Sequence, residues 1–223
     1  MTIRLFLFDL DGTLVDTAPD LALAVNMVRT ARGIAPLPEE ELRPYASRGA
    51  PGLLGKAMGI GRDDPAFLAL RTEFLDNYAA HMTDRSRPFE GVPVMLEALR
   101  AAGIRTGVVT NKVEHLALRL TDNLGLDGQL DVVLGSDSEG CAMKPVPDSL
   151  LTAARLTGVP VTDILYAGDD PRDVAAAHAA GMPCAACTWG YAVTPPESWG
   201  ADLVAHSPAE LATWAVQLNA HAL

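Results

Sequence analysis

Asp9 and Asp11 close an apolar run, "LFLFDLDGT", with a single leucine between them. Three later runs break off in the same way. "VVTNK" ends in Thr110, Asn111 and Lys112, "VVLGSDSEGCAMKPVP" contains Lys144, and "YAGDDPRD" contains Asp169, Asp170 and Asp173. With Thr13, these segments offer five acids, two lysines and two threonine hydroxyls. Carboxylates crowd together only when a cation neutralises them. Every ligand on offer is a hard oxygen, with no paired His or Cys beside it, which favours Mg²⁺ over zinc. A magnesium ion, a lysine and a hydroxyl together bind a phosphate group. A carboxylate beside them can then accept the phosphoryl group.

Such chemistry needs elements that bring four separated segments to one rim. Runs at 3–9, 105–111, 131–137, 163–169 and 183–189 read as short buried strands, with a weaker one at 201–207. The first four are nearly continuous apolar runs, the pattern of parallel strands covered on both faces. Helical patterns separate them. One spans 92–103 and ends on Gly103, another opens on Pro171 and ends on Gly181, and a last one opens with "SPAE". In that motif Ser207 caps, Pro208 takes the first turn and Glu210 closes a capping box. Alternating strands and helices predict a doubly wound, Rossmann-like parallel α/β sheet, whose ligands bind beyond the carboxyl ends of the strands. Residues 19–85 break the alternation. A helix is expected up to about Gly33, and another from Asp64 and Pro65, with Phe67, Leu70, Phe74, Leu75, Tyr78 and Met82 at helical spacing. The predicted organisation is a core of 1–16 and 88–223 with a small helical domain, 17–87, inserted in it.

"DLDGT", "VVTNK", "KPVP" and "GDDPRD", in this order and each at a predicted strand end, resemble the four motifs of the haloacid dehalogenase-type phosphatases. The resemblance covers nearly the whole chain. It implies that Asp9 attacks phosphorus and becomes an aspartyl-phosphate, while Asp11 protonates the leaving alcohol and then deprotonates the hydrolytic water. Thr110 would donate to the phosphate, with Asn111 beside it, and Lys144 would neutralise Asp9 and a phosphoryl oxygen. Asp9, Asp169 and Asp11, the last through its main-chain carbonyl, would hold Mg²⁺. Asp170 or Asp173 would act through water or by orienting Lys144. Asp170 has the alternative role of stabilising a helix N-terminus, and Lys112 that of pairing with acids at the rim. Gly12 lets the chain turn after the strand. The inserted helices then resemble the family's cap, which excludes water and reads the leaving group.

Within the family, "SRGAPGLLGKAM", "RPFEGVPVMLEALRAAG", "TNK" and "AAGMPCAACTWGY" resemble the phosphoglycolate phosphatase branch. "GDDPRD" and "SWGADLV" are nearer to its relatives acting on N-acetylmuramic acid 6-phosphate. The expected substrate is a small phosphorylated metabolite carrying a carboxylate, 2-phosphoglycolate before the muramic acid ester. Arg48, in a loop of the insertion beside Gly49, could pair with that carboxylate in a fork geometry. A phosphosugar mutase and a non-catalytic phosphate-binding protein are the competing classes.

Composition limits the alternatives. A 49% hydrophobic content can fill a sizeable core, and a net charge of −11 without a basic stripe argues against nucleic-acid or anionic-membrane partners. The N-terminal apolar run is too short for a signal peptide or a membrane span, so a cytoplasmic protein is expected, as monomer or homodimer. Cys141, Cys184 and Cys187 make no disulfide framework. Cys184 and Cys187 stand three apart on a predicted strand and face opposite sides of it, which argues against a redox pair. The five histidines show no ligand spacing, and Trp189, Trp199 and Trp214 read as packing residues.

Overall fold

The structure is a computed structural model that describes residues 2–220. Its described residues up to Leu14 and from Pro88 onward form one compact unit, and Val15–Arg87 form a second. The first unit opens with β1 (Leu5–Phe8). The second runs through β2 (Val15–Asp16), α1 (Ala18–Thr30), α2 (Glu39–Leu42), α3 (Gly49–Met58) and α4 (Phe67–His81) to β3 (Arg87–Pro88). The chain then completes the first unit with α5 (Val92–Ala101), β4 (Arg105–Val109), α6 (Glu114–Asn123), β5 (Val132–Leu134) and α7 (Asp148–Thr157). β6 (Ile164–Gly168), α8 (Pro171–Ala180), β7 (Cys184–Cys187), β8 (Leu203–Ala205) and α9 (Pro208–Ala220) follow. Among the described residues no helix is long and apolar enough to cross a membrane.

Six parallel strands form one sheet in the order β5-β4-β1-β6-β7-β8. Ranked by appearance among these six, the order reads 3-2-1-4-5-6. The chain winds outward through β4 and β5, then returns past β1 to β6, so the winding reverses between β1 and β6. A doubly wound sheet opens its ligand crevice at that switch point. Register brings the ends together, since Phe8 lies opposite Val108 on one side and Ala167 on the other. Asp9, Thr110 and Asp169 therefore leave the sheet side by side.

β1 is fully buried along its length. Leu5 and Leu7 face a core that includes Leu134, Leu150, Tyr166, Val174 and Ala177. Phe6 and Phe8 point to the other face, their rings stacked 4.3 Å apart. Burial of four such side chains contributes on the order of 6–12 kcal/mol, which anchors the strand whose end carries Asp9. The helix ends follow the predicted punctuation. Pro171 opens α8, and Gly181 closes it at φ +74°. At α9 the Glu210 N–H donates to Ser207 Oγ (3.3 Å), but the Glu210 carboxylate accepts from the His206 N–H (2.7 Å), one residue before the predicted partner.

In the second unit α1 packs on α4, with Leu21, Val25 and Val28 buried on one helix and Phe67, Leu70, Phe74 and Tyr78 on the other. Leu75 is only half-buried. α4 begins at Phe67 rather than at Asp64, whose side chain instead accepts the Ala66 N–H at 2.8 Å in the preceding turn. Arg48 ends a 3-10 turn over 43–48, and Gly49, expected with it in a loop, breaks the helical backbone at φ +57° before α3 continues. The glycines and Pro51 that suggest a loop suit this helix start. Pro51 falls in the first turn, where its missing N–H has no partner to lose. A Cβ on Gly52 would come within 2.4 Å of Arg48 Cβ.

Candidate active site

The carboxyl ends of β1, β4 and β6 gather Asp9, Thr110 and Asp169, and the α8 N-terminus adds Asp173. Carboxylate oxygens of Asp9, Asp169 and Asp173 all lie within 4.8 Å of one another. Burial raises Asp9 to about 6. Lys144 pulls it down, whereas Asp173 and Asp11 push it further up. Asp169, wholly buried, is held well above the ordinary carboxylate range by burial and by the charges of Asp9 and Asp173. Its oxygens accept from Thr13 Oγ1 (3.0 Å) and the Tyr191 N–H (2.8 Å). Three clustered carboxylates with only oxygen donors fit a hard divalent cation such as Mg²⁺.

Two glycines make room for this cluster. Gly12 turns the chain at φ +89°, and a Cβ there would lie 2.2 Å from Asp169 Oδ2. A Cβ on Gly190 would lie 2.3 Å from Asp169 Cβ. Trp189 does more than pack: its indole N–H donates to the Thr13 carbonyl at 3.0 Å, tying the segment after β7 to the one after β1.

Lys144 is the buried counter-charge. Its Nζ stands 2.6 Å from Asp173 Oδ1 and 3.0 Å from Asp9 Oδ1. Burial lowers the ammonium's pKa, but Asp173 and Asp9 outweigh that and raise it. A third partner, the Tyr166 hydroxyl, lies 2.6 Å away and itself donates to the Val109 carbonyl at 2.9 Å. Sequence reading misses Tyr166. The available signal is a phenol in an otherwise aliphatic buried strand, since a buried tyrosine hydroxyl needs a partner.

Lys112 pairs with Asp11, 3.0 Å from both carboxylate oxygens. Thr110 is buried and its hydroxyl accepts the Lys112 N–H at 3.2 Å. Asn111 bonds the main chain of Lys144. Its amide oxygen accepts the Lys144 N–H (2.8 Å) and its NH₂ donates to the Lys144 carbonyl (3.1 Å), so it fixes the main chain of the lysine. Asp170 stands at the N-terminus of α8, the second of the two places expected of it. It caps α8 by accepting the Arg172 N–H (2.9 Å), and it receives that guanidinium at 2.7 and 2.9 Å. Burial alone would raise its pKa, but the hydrogen bonds from Arg172 keep it low. Asp173 joins the carboxylate cluster, with one oxygen on Lys144 and the other accepting the Asp170 N–H at 3.0 Å. Arg172 is a partner that sequence reading does not identify. Arg48 and Gly49 belong to the second unit, where the Arg48 guanidinium lies 5.6 Å from the Tyr45 ring centroid.

Comparison with known proteins agrees with this geometry. A family model for haloacid dehalogenase-like hydrolases matches residues 3–181. The phosphoglycolate phosphatase of Xylella fastidiosa is 44% identical over 92% of this chain and 90% of its own. The N-acetylmuramic acid 6-phosphate phosphatase of Pseudomonas aeruginosa is 38% identical over 95% of this chain and 94% of its own. A solved structure from Haemophilus somnus, described as a predicted phosphoglycolate phosphatase, superposes with a TM-score of 0.86 at 28% identity. That match covers 96% of this chain and 98% of the other. The chain belongs to the haloacid dehalogenase-like hydrolases and is one of their phosphatases.

Proposed function

We propose that this phosphatase is a Mg²⁺-dependent, cytoplasmic phosphomonoester hydrolase whose preferred substrate is 2-phosphoglycolate. The observation that carries the reading is Asp9 at the end of the central strand, in an ion pair with buried Lys144 and clustered with Asp169 and Asp173. Asp9, Asp169 and the Asp11 main-chain carbonyl would hold Mg²⁺, which neutralises charge on the phosphate and its acidic neighbours. Asp9 then attacks phosphorus, forming an aspartyl-phosphate as the ester P–O bond breaks. Asp11 hands a proton to the departing alcohol, exchanging its contact with Lys112 for one with the leaving oxygen. It next takes a proton from the water that cleaves the acyl-phosphate, which frees phosphate and regenerates Asp9. Thr110 donates to the phosphoryl group, Lys144 balances it, and Asn111 fixes the lysine's main chain.

The helical unit acts as the cap that selects the leaving group, with Arg48 reading the substrate carboxylate. N-acetylmuramic acid 6-phosphate is the second reading, supported by the 38% identity to the Pseudomonas aeruginosa protein. A kcat/KM comparison across phosphate esters decides between them. A preference of about tenfold or more for 2-phosphoglycolate, near 1.4 kcal/mol, supports the first reading. The same margin for the muramic acid ester replaces it with the second. Arg48→Ala should weaken turnover of both carboxylated esters far more than that of p-nitrophenyl phosphate, and equal losses would remove Arg48 as the reader.

A further inference from the structure

His178, Cys184 and Asp202 take no part in the phosphatase chemistry, and sequence spacing does not connect them. The fold does. His178 sits in the last turn of α8, Cys184 opens β7, and Asp202 immediately precedes β8. His178 Nε2 lies 3.4 Å from Cys184 Sγ and 3.5 Å from Asp202 Oδ2, and all three ligand atoms fall within 4.8 Å of one another. The Asp202 carboxylate is held in place from the strand: Oδ2 accepts the Cys184 N–H at 2.9 Å, and the Asp202 N–H donates to the Cys184 carbonyl at 3.0 Å.

The spacing is informative. The 3.5 Å between His178 and Asp202 exceeds the roughly 2.7–3.2 Å of an N–H···O hydrogen bond. A tetrahedral zinc ion, with Zn–S near 2.3 Å and Zn–N near 2.0–2.1 Å, separates neighbouring ligand atoms by about 3.4–3.6 Å. The 3.4 Å between His178 and Cys184 also suits a sulfur hydrogen bond, so it is the 3.5 Å between His178 and Asp202, too long for a hydrogen bond, that carries the metal-ligand spacing. The imidazole and the carboxylate are about half exposed over a buried sulfur, which gives an ion a route in and leaves a fourth position for water. From this arrangement we infer that His178, Cys184 and Asp202 form a second metal site, for a thiophilic divalent ion of the Zn²⁺ class. Binding forms a metal–sulfur bond and releases the Cys184 thiol proton to solvent. A thiolate donor beside an imidazole selects an ion that binds sulfur strongly enough to displace the thiol proton. Mg²⁺ and Ca²⁺, which prefer oxygen, do not meet that requirement. The ion would tie the last turn of α8 to β7 and the approach to β8. His178 lies five residues beyond Asp173, about 7–8 Å along the helix axis, so this set is separate from the strand-end acids.

Co²⁺ titrated into the full-length, chelator-stripped protein tests the site, with excess Mg²⁺ present to occupy oxygen ligands. Only a sulfur ligand produces a thiolate-to-Co²⁺ charge-transfer band, so binding at the strand-end carboxylates does not contribute to it. The expected result is a band that saturates at one equivalent, is abolished by Zn²⁺ and weakens at least tenfold in apparent affinity in His178→Ala. His178 is exposed, so this variant leaves the core intact. Cys141→Ser and Cys187→Ser should retain the band, which assigns it to Cys184. No charge-transfer band, or one unaltered in His178→Ala, overturns the site. Phosphatase turnover with Mg²⁺ should be the same in His178→Ala and wild type, so the outcome is independent of the substrate proposal.

Discussion

Lys144 has three N–H groups, and its three nearest oxygens belong to Asp173, Asp9 and Tyr166, at 2.6, 3.0 and 2.6 Å. The two carboxylates set its charge, whereas the phenol fixes its direction. Burial and the adjacent carboxylates raise the phenol's pKa well above the ordinary tyrosine value, so it stays neutral and can accept from the ammonium. Tyr166→Phe removes one oxygen and little volume. A hydrogen bond to a charged group contributes about 1.5–3 kcal/mol, so kcat should fall roughly tenfold or more with KM little changed. Unchanged kcat would show that the two acids position Lys144 without help. Asp9 supports a second prediction. Its carboxyl titrates near 6 in the folded protein, against an ordinary value of 3.8. Between those values the metal-free folded state holds a proton that the unfolded chain has lost, so stability falls as pH rises from about 4 to about 6. Mg²⁺ competes with that same proton. Its stabilising shift in Tm should therefore be small at pH 5 and large at pH 7.5. Equal shifts at both values would remove Asp9 from the metal-binding set.

At the level of elements, α1 is tied to the end of the helical unit by one buried carboxylate. Asp20 is completely buried and accepts the N–H groups of Arg85 (3.1 Å) and Ser86 (2.7 Å) and the Ser86 hydroxyl (2.7 Å). Asp20→Ala strands those donors and should lower the unfolding free energy by about 2–3 kcal/mol. Urea denaturation measures this, and a loss below about 0.5 kcal/mol would refute the tie. The strands themselves are legible in sequence. β1, β4 and β6 leave apolar runs because both faces are covered, and each stops where a polar residue meets the rim. Asp9, Thr110 and Asp169 are legible for the same reason, as polar residues at strand ends, whereas Lys144 lies ten residues past the end of β5 and is legible through its motif. Tyr166, Arg172 and Gly190 are not, because their roles depend on neighbours distant in sequence or on room left for another side chain. The two helical segments that meet at Gly49 are hidden for a local reason. Gly and Pro signal a loop in isolation, and only the first-turn position of Pro51 and the tight approach of Gly52 to Arg48 reconcile them with a helix.

For the molecule as a whole, charge opposes the proposed substrate. The net charge is −11, and at the site the acids Asp9, Asp11, Asp169, Asp170 and Asp173 stand beside the cations Lys112, Lys144 and Arg172. A phosphate ester that also carries a carboxylate approaches against that field until it meets Mg²⁺ and the local cations. Screening weakens the long-range repulsion first, because the Debye length shrinks from about 30 Å at 0.01 M salt to about 8 Å at 0.15 M. Contacts at hydrogen-bond distance are screened much less. At saturating Mg²⁺, kcat/KM for 2-phosphoglycolate should therefore rise by about twofold or more over that range of KCl. The rise should be smaller for p-nitrophenyl phosphate, which lacks the carboxylate. Initial rates at substrate concentrations well below KM report the effect directly. A kcat/KM that falls with salt would mean that local cations, rather than the net charge, govern how the substrate arrives.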